Sequence, residues 1–395
     1  MTSAATGVTF VIYQTGASSN GGLVSVGEII ARAPVETVRV ITNCRSAFAT
    51  GWERHGSVVY WRMREVGYGE RRRVIARALA RVVNNVRMFI DVRRNHTRVV
   101  HVNDHQALWN AGLGAKLGGA KVLFNVRDDM REGASKSKWR IFLKLSDRFL
   151  VLSREMEANW RKRLSPLSRR DAAKFRHLYS IVDEARFSPA SDRRAIRTRL
   201  DLPSDDPVLL YAGRFEPKKG QLAFIREALP HILQARSDAV VCFLGDFAPD
   251  RDAYAAACAQ AVKELGFGEC VRFAGSTPMI EDWYRAADLI LLASQREGLA
   301  RCMIEGVASG TPVVSFPVCS AREVLEAHGV GVVVAERDFA AFAAATVGLL
   351  NDDHARSDIA ARGPRVAAEL FDPERNAAAY ASLVANLEHP VRGRP

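Results

Sequence analysis

The sequence has no long hydrophobic run. Of its 395 residues 48% are hydrophobic and the mean hydropathy is −0.08, yet no stretch approaches the roughly 18 apolar residues that a membrane-spanning helix needs. The opening residues, MTSAATGVTFVIYQTG, lack the cationic start and long apolar core of a secretory signal. The six cysteines (Cys44, Cys242, Cys258, Cys270, Cys302 and Cys319) include no C-x-x-C pair. That argues against a disulfide framework or a zinc site and points to a reducing cytoplasm. There is no long internal repeat, no low-complexity tract and no recognised nucleic-acid-binding motif. Basic charge alone (pI about 9.7) keeps nucleic-acid binding open only as a different-class alternative.

Acidic residues are scarce in one half of the chain. Residues 1–180 hold 32 Lys and Arg against 14 Asp and Glu, whereas residues 181–395 hold 24 against 30. A basic half joined to a mildly acidic one implies two domains with different partners. The length, too, is more than one core usually supports.

Short apolar runs alternate with helical patterns. VTFVIY (8–13), VRVIT (38–42), SVVYW (57–61), RVVHV (98–102), AKVLFNV (120–126) and RFLVLS (148–153) read as buried strands of the first half. PVLLYAG (207–213), AVVCFLG (239–245), CVRFAG (270–275), DLILLAS (288–294), TPVVSF (311–316) and GVVVA (331–335) repeat the scheme. Such alternation predicts an α/β protein with two doubly wound parallel sheets of about six strands each. The expected boundaries are 1–182, 183–371 and a last segment, 372–395, whose capped helix crosses back to the first domain.

Ligands of open parallel sheets bind beyond the carboxyl ends of the strands, so the loops there carry the candidate chemistry. In QTGASSNGGLVSVGEII (14–30), Gly21 and Gly22 let backbone approach a ligand at a helix start; a tight packing turn explains them equally well. In GRFEPKKG (213–220), Arg214 and Lys219 put two cations at a helix N-terminus, an arrangement that calls for an anion such as phosphate. In EGLARCMIEGVASGTPVV (297–314), Glu297 stands at the entry to a helix and Glu305, eight residues on, inside it. On a continuous helix they would share a face about 12 Å apart, too far to share a metal and suited to an elongated polar ligand. Asp250 and Asp252, a D-x-D, begin a helix and read as N-terminal capping rather than metal ligation.

These motifs resemble the retaining GT-B glycosyltransferases of family 4, the glycosyl transferases of group 1. The resemblance rests on Glu297-x7-Glu305 followed by GVASGTPVV, on GRFEPKKG, on VVCFLGDFAPDRDAYAAACAQAVKELG (240–266) and on VDEARFSP (182–189). It implies a GT-B fold, two Rossmann-like domains facing each other across a cleft, and a nucleotide-diphosphate sugar as donor. It implies that Glu305 holds the ribose hydroxyls, Glu297 a sugar hydroxyl, and Arg214 and Lys219 the diphosphate, with the amides around Gly298, Leu299 and Ala300 cradling sugar and phosphate. No cofactor and no metal are then required. Where the family strand usually ends T-x-H-D, this chain has VLFNVRDD (122–129): Asn125 stands for Thr, Arg127 for His, and Asp128 fits. Arg127 is permanently charged and cannot act as a base; Asp104 and His105, in HVNDHQALW (101–109), are candidate substitutes, though a buried structural role for His105 is at least as good a reading.

The expected acceptor is a glycan, lipid-linked or otherwise anionic molecule of cell-envelope or exopolysaccharide synthesis, bound by the basic half of a cytoplasmic protein peripheral to the inner membrane face. Segment 71–94, RRRVIARALARVVNNVRMFIDVRR, reads as an amphipathic helix. Its apolar side (Ile75, Leu79, Val82, Val86, Phe89, Ile90) is expected to cover the sheet. Arg73, Arg77, Arg81 and Arg87 are expected to face outward to the acceptor or an anionic membrane. A catalytically altered GT-B binding protein and a nucleotide-sugar epimerase or phosphorylase on the same scaffold are the alternatives.

Overall fold

The computed structural model describes residues 7–15, 21–63, 71–130 and 133–388, and the chain divides into two compact units, 1–181 with 373–395, and 182–372. In the first unit seven strands form one parallel sheet: β1 (Gly7–Ile12), β2 (Glu36–Thr42), β3 (Ser57–Tyr60), β4 (Val99–Val102), β5 (Lys121–Asn125), β6 (Arg148–Val151) and β7 (Phe175–His177). Their order is β3-β2-β1-β4-β5-β6-β7. Strand β7 was not expected. Its sequence, FRH, buries only Phe175, so it carries no apolar run to be read.

In the second unit β8 (Val208–Ala212), β9 (Val240–Leu244), β10 (Val271–Gly275), β11 (Leu289–Leu292), β12 (Val313–Ser315) and β13 (Gly331–Val333) form a six-stranded parallel sheet in the order β10-β9-β8-β11-β12-β13. The two orders are the same doubly wound pattern. Each reverses between its first and fourth strands, β1/β4 and β8/β11, and that reversal leaves a crevice at the strands' carboxyl ends.

Val8, Phe10 and Ile12 of β1 pack with Leu23, Val26 and Ile30 of the helix Gly21–Arg32, and the helix Pro373–Glu388 adds Ala377, Tyr380, Val384 and Leu387 to this core. Tyr380 also holds His101 of β4, its hydroxyl 2.8 Å from the imidazole Nδ1. Burial, reinforced by the charge of Arg127, pushes that imidazole down to a pKa of about 3. The second core is aromatic, with Tyr211, Phe224, Phe243, Phe316 and Phe342 fully buried around β8 and β9.

The helix Arg71–Arg94 faces the opposite way from the sequence expectation. Ile75, Leu79, Val82, Val86, Phe89 and Ile90, expected to be buried, are exposed, Leu79 and Val82 by 60% and 61%. The face turned inward carries Asn84, Met88, Asp91 and Val92. It packs on the helix His105–Gly118, where Asn84 Nδ2 donates to Asn110 Oδ1 (2.8 Å) and Asn85 Oδ1 accepts from the Gly114 amide (2.8 Å). Arg81, expected outside, is half-buried with its guanidinium 5.3 Å from the Trp109 ring, and Arg77 is also half-buried. Arg87 is exposed as expected; the side chain of Arg73 lies outside the described residues. Small residues decide the orientation. A Cβ on Gly114 would lie 1.9 Å from the Asn85 carbonyl oxygen, so only glycine lets the two helices approach this closely.

Candidate active site

The crevice of the second unit is built from the loops after β8 and β11. After β8 the chain runs through Gly213 and Arg214 into a short turn, Pro217–Lys219, and then a helix from Gln221. Three contacts fix this loop. Gln221 Nε2 donates to the Arg214 carbonyl (2.7 Å), the Tyr211 hydroxyl donates to the Lys219 carbonyl, and the Gln295 amide, beyond β11, donates to the Lys218 carbonyl (2.7 Å). Gly220 is obligatory there: its φ is +81° and a Cβ would lie 2.4 Å from the Ala293 carbonyl oxygen.

These constraints bring Lys219 to Glu297. Its Nζ is 2.6 Å from Glu297 Oε1, and both side chains are largely buried. Burial works to lower the Lys219 pKa, but the Glu297 carboxylate outweighs it and the ammonium is held above its ordinary value. Arg214 is more open and reaches Glu216 Oε1 at 3.3 Å. The site thus holds a fixed lysine–carboxylate pair with a second cation beside it.

Glu297 lies in the loop before the helix Arg301–Ala308, and Glu305 lies inside that helix. This is the placement expected from the sequence, and because Glu297 precedes the helix the 12 Å rise of a continuous helix does not apply. Glu305 is buried and doubly bonded: Arg301 Nε donates to Oε1 (2.7 Å) and the Tyr284 hydroxyl donates to Oε2 (3.0 Å). Thr311, in the glycine-rich sequence after the helix, donates to the Tyr284 carbonyl (2.7 Å) and so fixes that tyrosine. Gly306 seats the helix on the sheet, since a Cβ there would strike Ile290 of β11 at 2.0 Å. Gly298, Leu299 and Ala300 are buried in the entry loop, and Ser320 Oγ donates to the Gly298 carbonyl (2.6 Å). The helix has no side-chain cap at Ala300, and the amino end of a helix favours an anion. Asp252 accepts from the amides of Tyr254 and Ala255 at the start of the helix Ala253–Glu264, and is engaged as a cap.

The first unit's crevice, after β1, β2, β4 and β5, has different chemistry. Gln14 is buried in a network of neutral groups: its amide donates to Asn43 Oδ1 (2.6 Å), its Nε2 to Thr42 Oγ1 (2.7 Å), and its Oε1 accepts from Ser46 Oγ (2.9 Å). Asp104 caps the helix His105–Gly118, accepting from the amides of Gln106 (2.6 Å), Ala107 (2.9 Å) and Tyr13 (3.3 Å). Burial still outweighs these bonds and raises its pKa to about 6. His105 sits against Trp139 and Phe142, and burial lowers its pKa to about 4, the charge of Lys138 adding to this and Asp128 opposing it. Arg127 Nη1 donates to Asn103 Oδ1 (3.1 Å) beside β4. Gly21 and Gly22 are the first residues of the helix Gly21–Arg32, while the loop at 16–20 lies outside the described residues.

Gln14, Asn43, Tyr284 and Arg301 were not singled out from the sequence. Arg301 had a readable signal, since it precedes Glu305 by four residues on a helix. Gln14 directly follows an apolar strand. Tyr284 had none, because its contact with Glu305 spans 21 residues.

Residues 206–352 match the family model described as glycosyl transferases group 1. The match lies within the second unit. Across 216 residues, 53% of this chain and 50% of the relative, the chain is 33% identical to D-inositol 3-phosphate glycosyltransferase 2 of Catenulispora acidiphila. Across 190 residues, 47% and 44% of the two chains, it is 36% identical to D-inositol 3-phosphate glycosyltransferase of Thermobispora bispora. The chain thus spans about half the length of these curated relatives. Among solved structures, HepE of Anabaena in complex with UDP and glucose superposes with a TM-score of 0.79 at 17% identity, covering 96% of this chain and 99% of that one. Sucrose-phosphate synthase of Thermosynechococcus elongatus does so with a TM-score of 0.79 at 19% identity, covering 97% and 99%. What this chain shares with those structures is the fold, the GT-B fold expected from its sequence.

Proposed function

We propose that the protein is a retaining, metal-independent glycosyltransferase that moves a sugar from a nucleotide-diphosphate sugar to a hydroxyl of a glycan, lipid-linked or otherwise anionic acceptor of cell-envelope or exopolysaccharide synthesis. The observation that carries this reading is the buried Lys219–Glu297 pair with Arg214 beside it at the β8/β11 crevice. Negative charge develops on the departing diphosphate, so cations held in place before the reaction stabilise the transition state more than the ground state. The ammonium of Lys219 and the guanidinium of Arg214 supply that charge, with the amides around Gly298, Leu299 and Ala300 completing a phosphate cradle. Glu305, aimed by Arg301 and Tyr284, accepts from the ribose hydroxyls, and Glu297 accepts from a hydroxyl of the sugar while orienting Lys219. The UDP and UDP-glucose in the HepE crystal structures support a donor of this class.

In the reaction the bond from the anomeric carbon to the phosphate oxygen breaks and a bond to the acceptor oxygen forms on the same face. The acceptor's proton passes to the departing phosphate. No protein nucleophile is needed, which accords with Arg127 standing where a base would otherwise be sought. Gln14, Asn43, Arg127 and Asp128 provide the acceptor side with hydrogen-bonding groups. The test is donor hydrolysis across a panel of nucleotide sugars with EDTA present. Cleavage of one donor that survives chelation and disappears in Lys219→Ala supports the reading; abolition by chelation would return Asp250 and Asp252 to consideration as metal ligands, and cleavage of none would refute it.

A further inference from the structure

The exposed apolar stripe of the helix Arg71–Arg94 is unused by the chemistry above. Seven large side chains form it, Val83 joining the six already named, and they span about a third of the helix circumference over four turns. It continues onto the next helix. Gly114 and Gly118 touch Arg71–Arg94, and Leu113 and Leu117, one residue before each, are exposed beside the stripe, Leu117 by 64%. A patch of this kind is more than the scattered exposed apolar residues of an ordinary surface.

Its charge surroundings point to what covers it. The helix holds eight arginines and one acidic residue, Asp91, which is buried and paired with Arg39. Arg87 and Arg94 lie along one edge of the stripe and Arg93 at its end, all three exposed. A second copy of the chain docked face to face would set arginines against arginines. An anionic bilayer meets both features, the apolar stripe in the headgroup and acyl boundary and the guanidinium groups on lipid phosphates. No described helix is long and apolar enough to cross a membrane, so contact of this kind lies in the plane of one leaflet.

We propose that the stripe from Ile75 to Ile90, with Leu113 and Leu117, docks the first unit in the interface of an anionic lipid bilayer, with Arg87, Arg93 and Arg94 on its phosphates. The sequence reading made the arginines the outer face and the apolar side the inner one; the apolar side is the one that enters the lipid. The proposal does not rest on the reaction proposed above, because its readout is lipid binding.

Co-sedimentation with vesicles of phosphatidylglycerol and phosphatidylcholine in equal parts, and of phosphatidylcholine alone, tests it. Wild-type protein is expected to bind the mixed vesicles at least tenfold more tightly than the neutral ones. Leu79→Ser with Val86→Ser should weaken that binding at least tenfold and leave nucleotide affinity unchanged. Arg87→Gln with Arg93→Gln should remove the preference for anionic lipid and its sensitivity to salt. These positions are exposed, and far-ultraviolet circular dichroism confirms that the variants fold. Failure of wild-type protein to bind the mixed vesicles would overturn the proposal, as would binding indifferent to the serine substitutions. A dimer in analytical ultracentrifugation that dissociates in Leu79→Ser with Val86→Ser would overturn it in favour of a second copy.

Discussion

The two crevices of this protein occupy equivalent places in equivalent sheets and are built from opposite chemistry. At β8/β11 the groups are charged and paired with one another, Lys219 with Glu297 and Arg301 with Glu305. At β1/β4 the buried groups are mainly amides and hydroxyls, and the buried carboxylate of Asp104 is committed to three backbone amides. The strand order decides where a ligand sits, and the loop residues decide what it can be. A crevice of paired charges suits a diphosphate, whereas one lined mainly by amides and hydroxyls, with Arg127 beside them, suits the hydroxyls of an acceptor.

The comparison is broken most severely by Lys219→Ala. It strands a buried carboxylate and should destabilise the second unit by about 3–5 kcal/mol, as measured by chemical denaturation, and it should lower turnover more than it raises the donor KM. Glu297→Gln added to Lys219→Met should recover much of the stability without the activity, which separates the two roles of the pair.

Asp104 gives the next effect, seen in pH dependence. Its folded pKa of about 6 lies above the unfolded value, so its contribution to stability is fully present below about pH 4 and is lost as pH rises through 6. Compared with Asp104→Asn, the wild type should therefore lose stability between pH 4 and pH 7, on the order of 2 kcal/mol. A flat difference across that window in thermal unfolding would mean that the carboxylate is solvated.

Glu305→Ala comes third. Loss of a hydrogen-bonding charged group from the ribose should cost about 1.5–3 kcal/mol of donor affinity, and unchanged affinity in a folded variant would remove Glu305 from the donor site. The smallest effect sharpens the contrast from the other side. Gln14→Ala should cost the first unit on the order of 1 kcal/mol of stability and leave nucleotide affinity unchanged in calorimetry.

The sheets were legible in the sequence because each central strand is an apolar run bounded by glycine or polar residues, as in PVLLYAG and DLILLAS. The strand ends follow from that placement, and with them the neighbourhood of Arg214, Lys219, Glu297 and Asp104. Three things were not legible. The three-residue strand β7 has no pattern to detect. The orientation of the helix Arg71–Arg94 was misread because periodicity distinguishes two faces without saying which one meets the protein; here Asn84, Asn85 and the glycines of a neighbouring helix decide it. The support of Glu305 by Tyr284 depends on a tertiary contact that no local spacing records.

The central claim is that the β8/β11 crevice holds a nucleotide diphosphate, and titration calorimetry tests it most directly. ADP, GDP, UDP and dTDP are titrated into wild type, Arg214→Ala and Gln14→Ala. At least one nucleotide is predicted to bind the wild type, to bind Arg214→Ala at least tenfold more weakly, and to bind Gln14→Ala as it does the wild type. Binding of none of the four, or equal weakening by the two substitutions, would contradict the account.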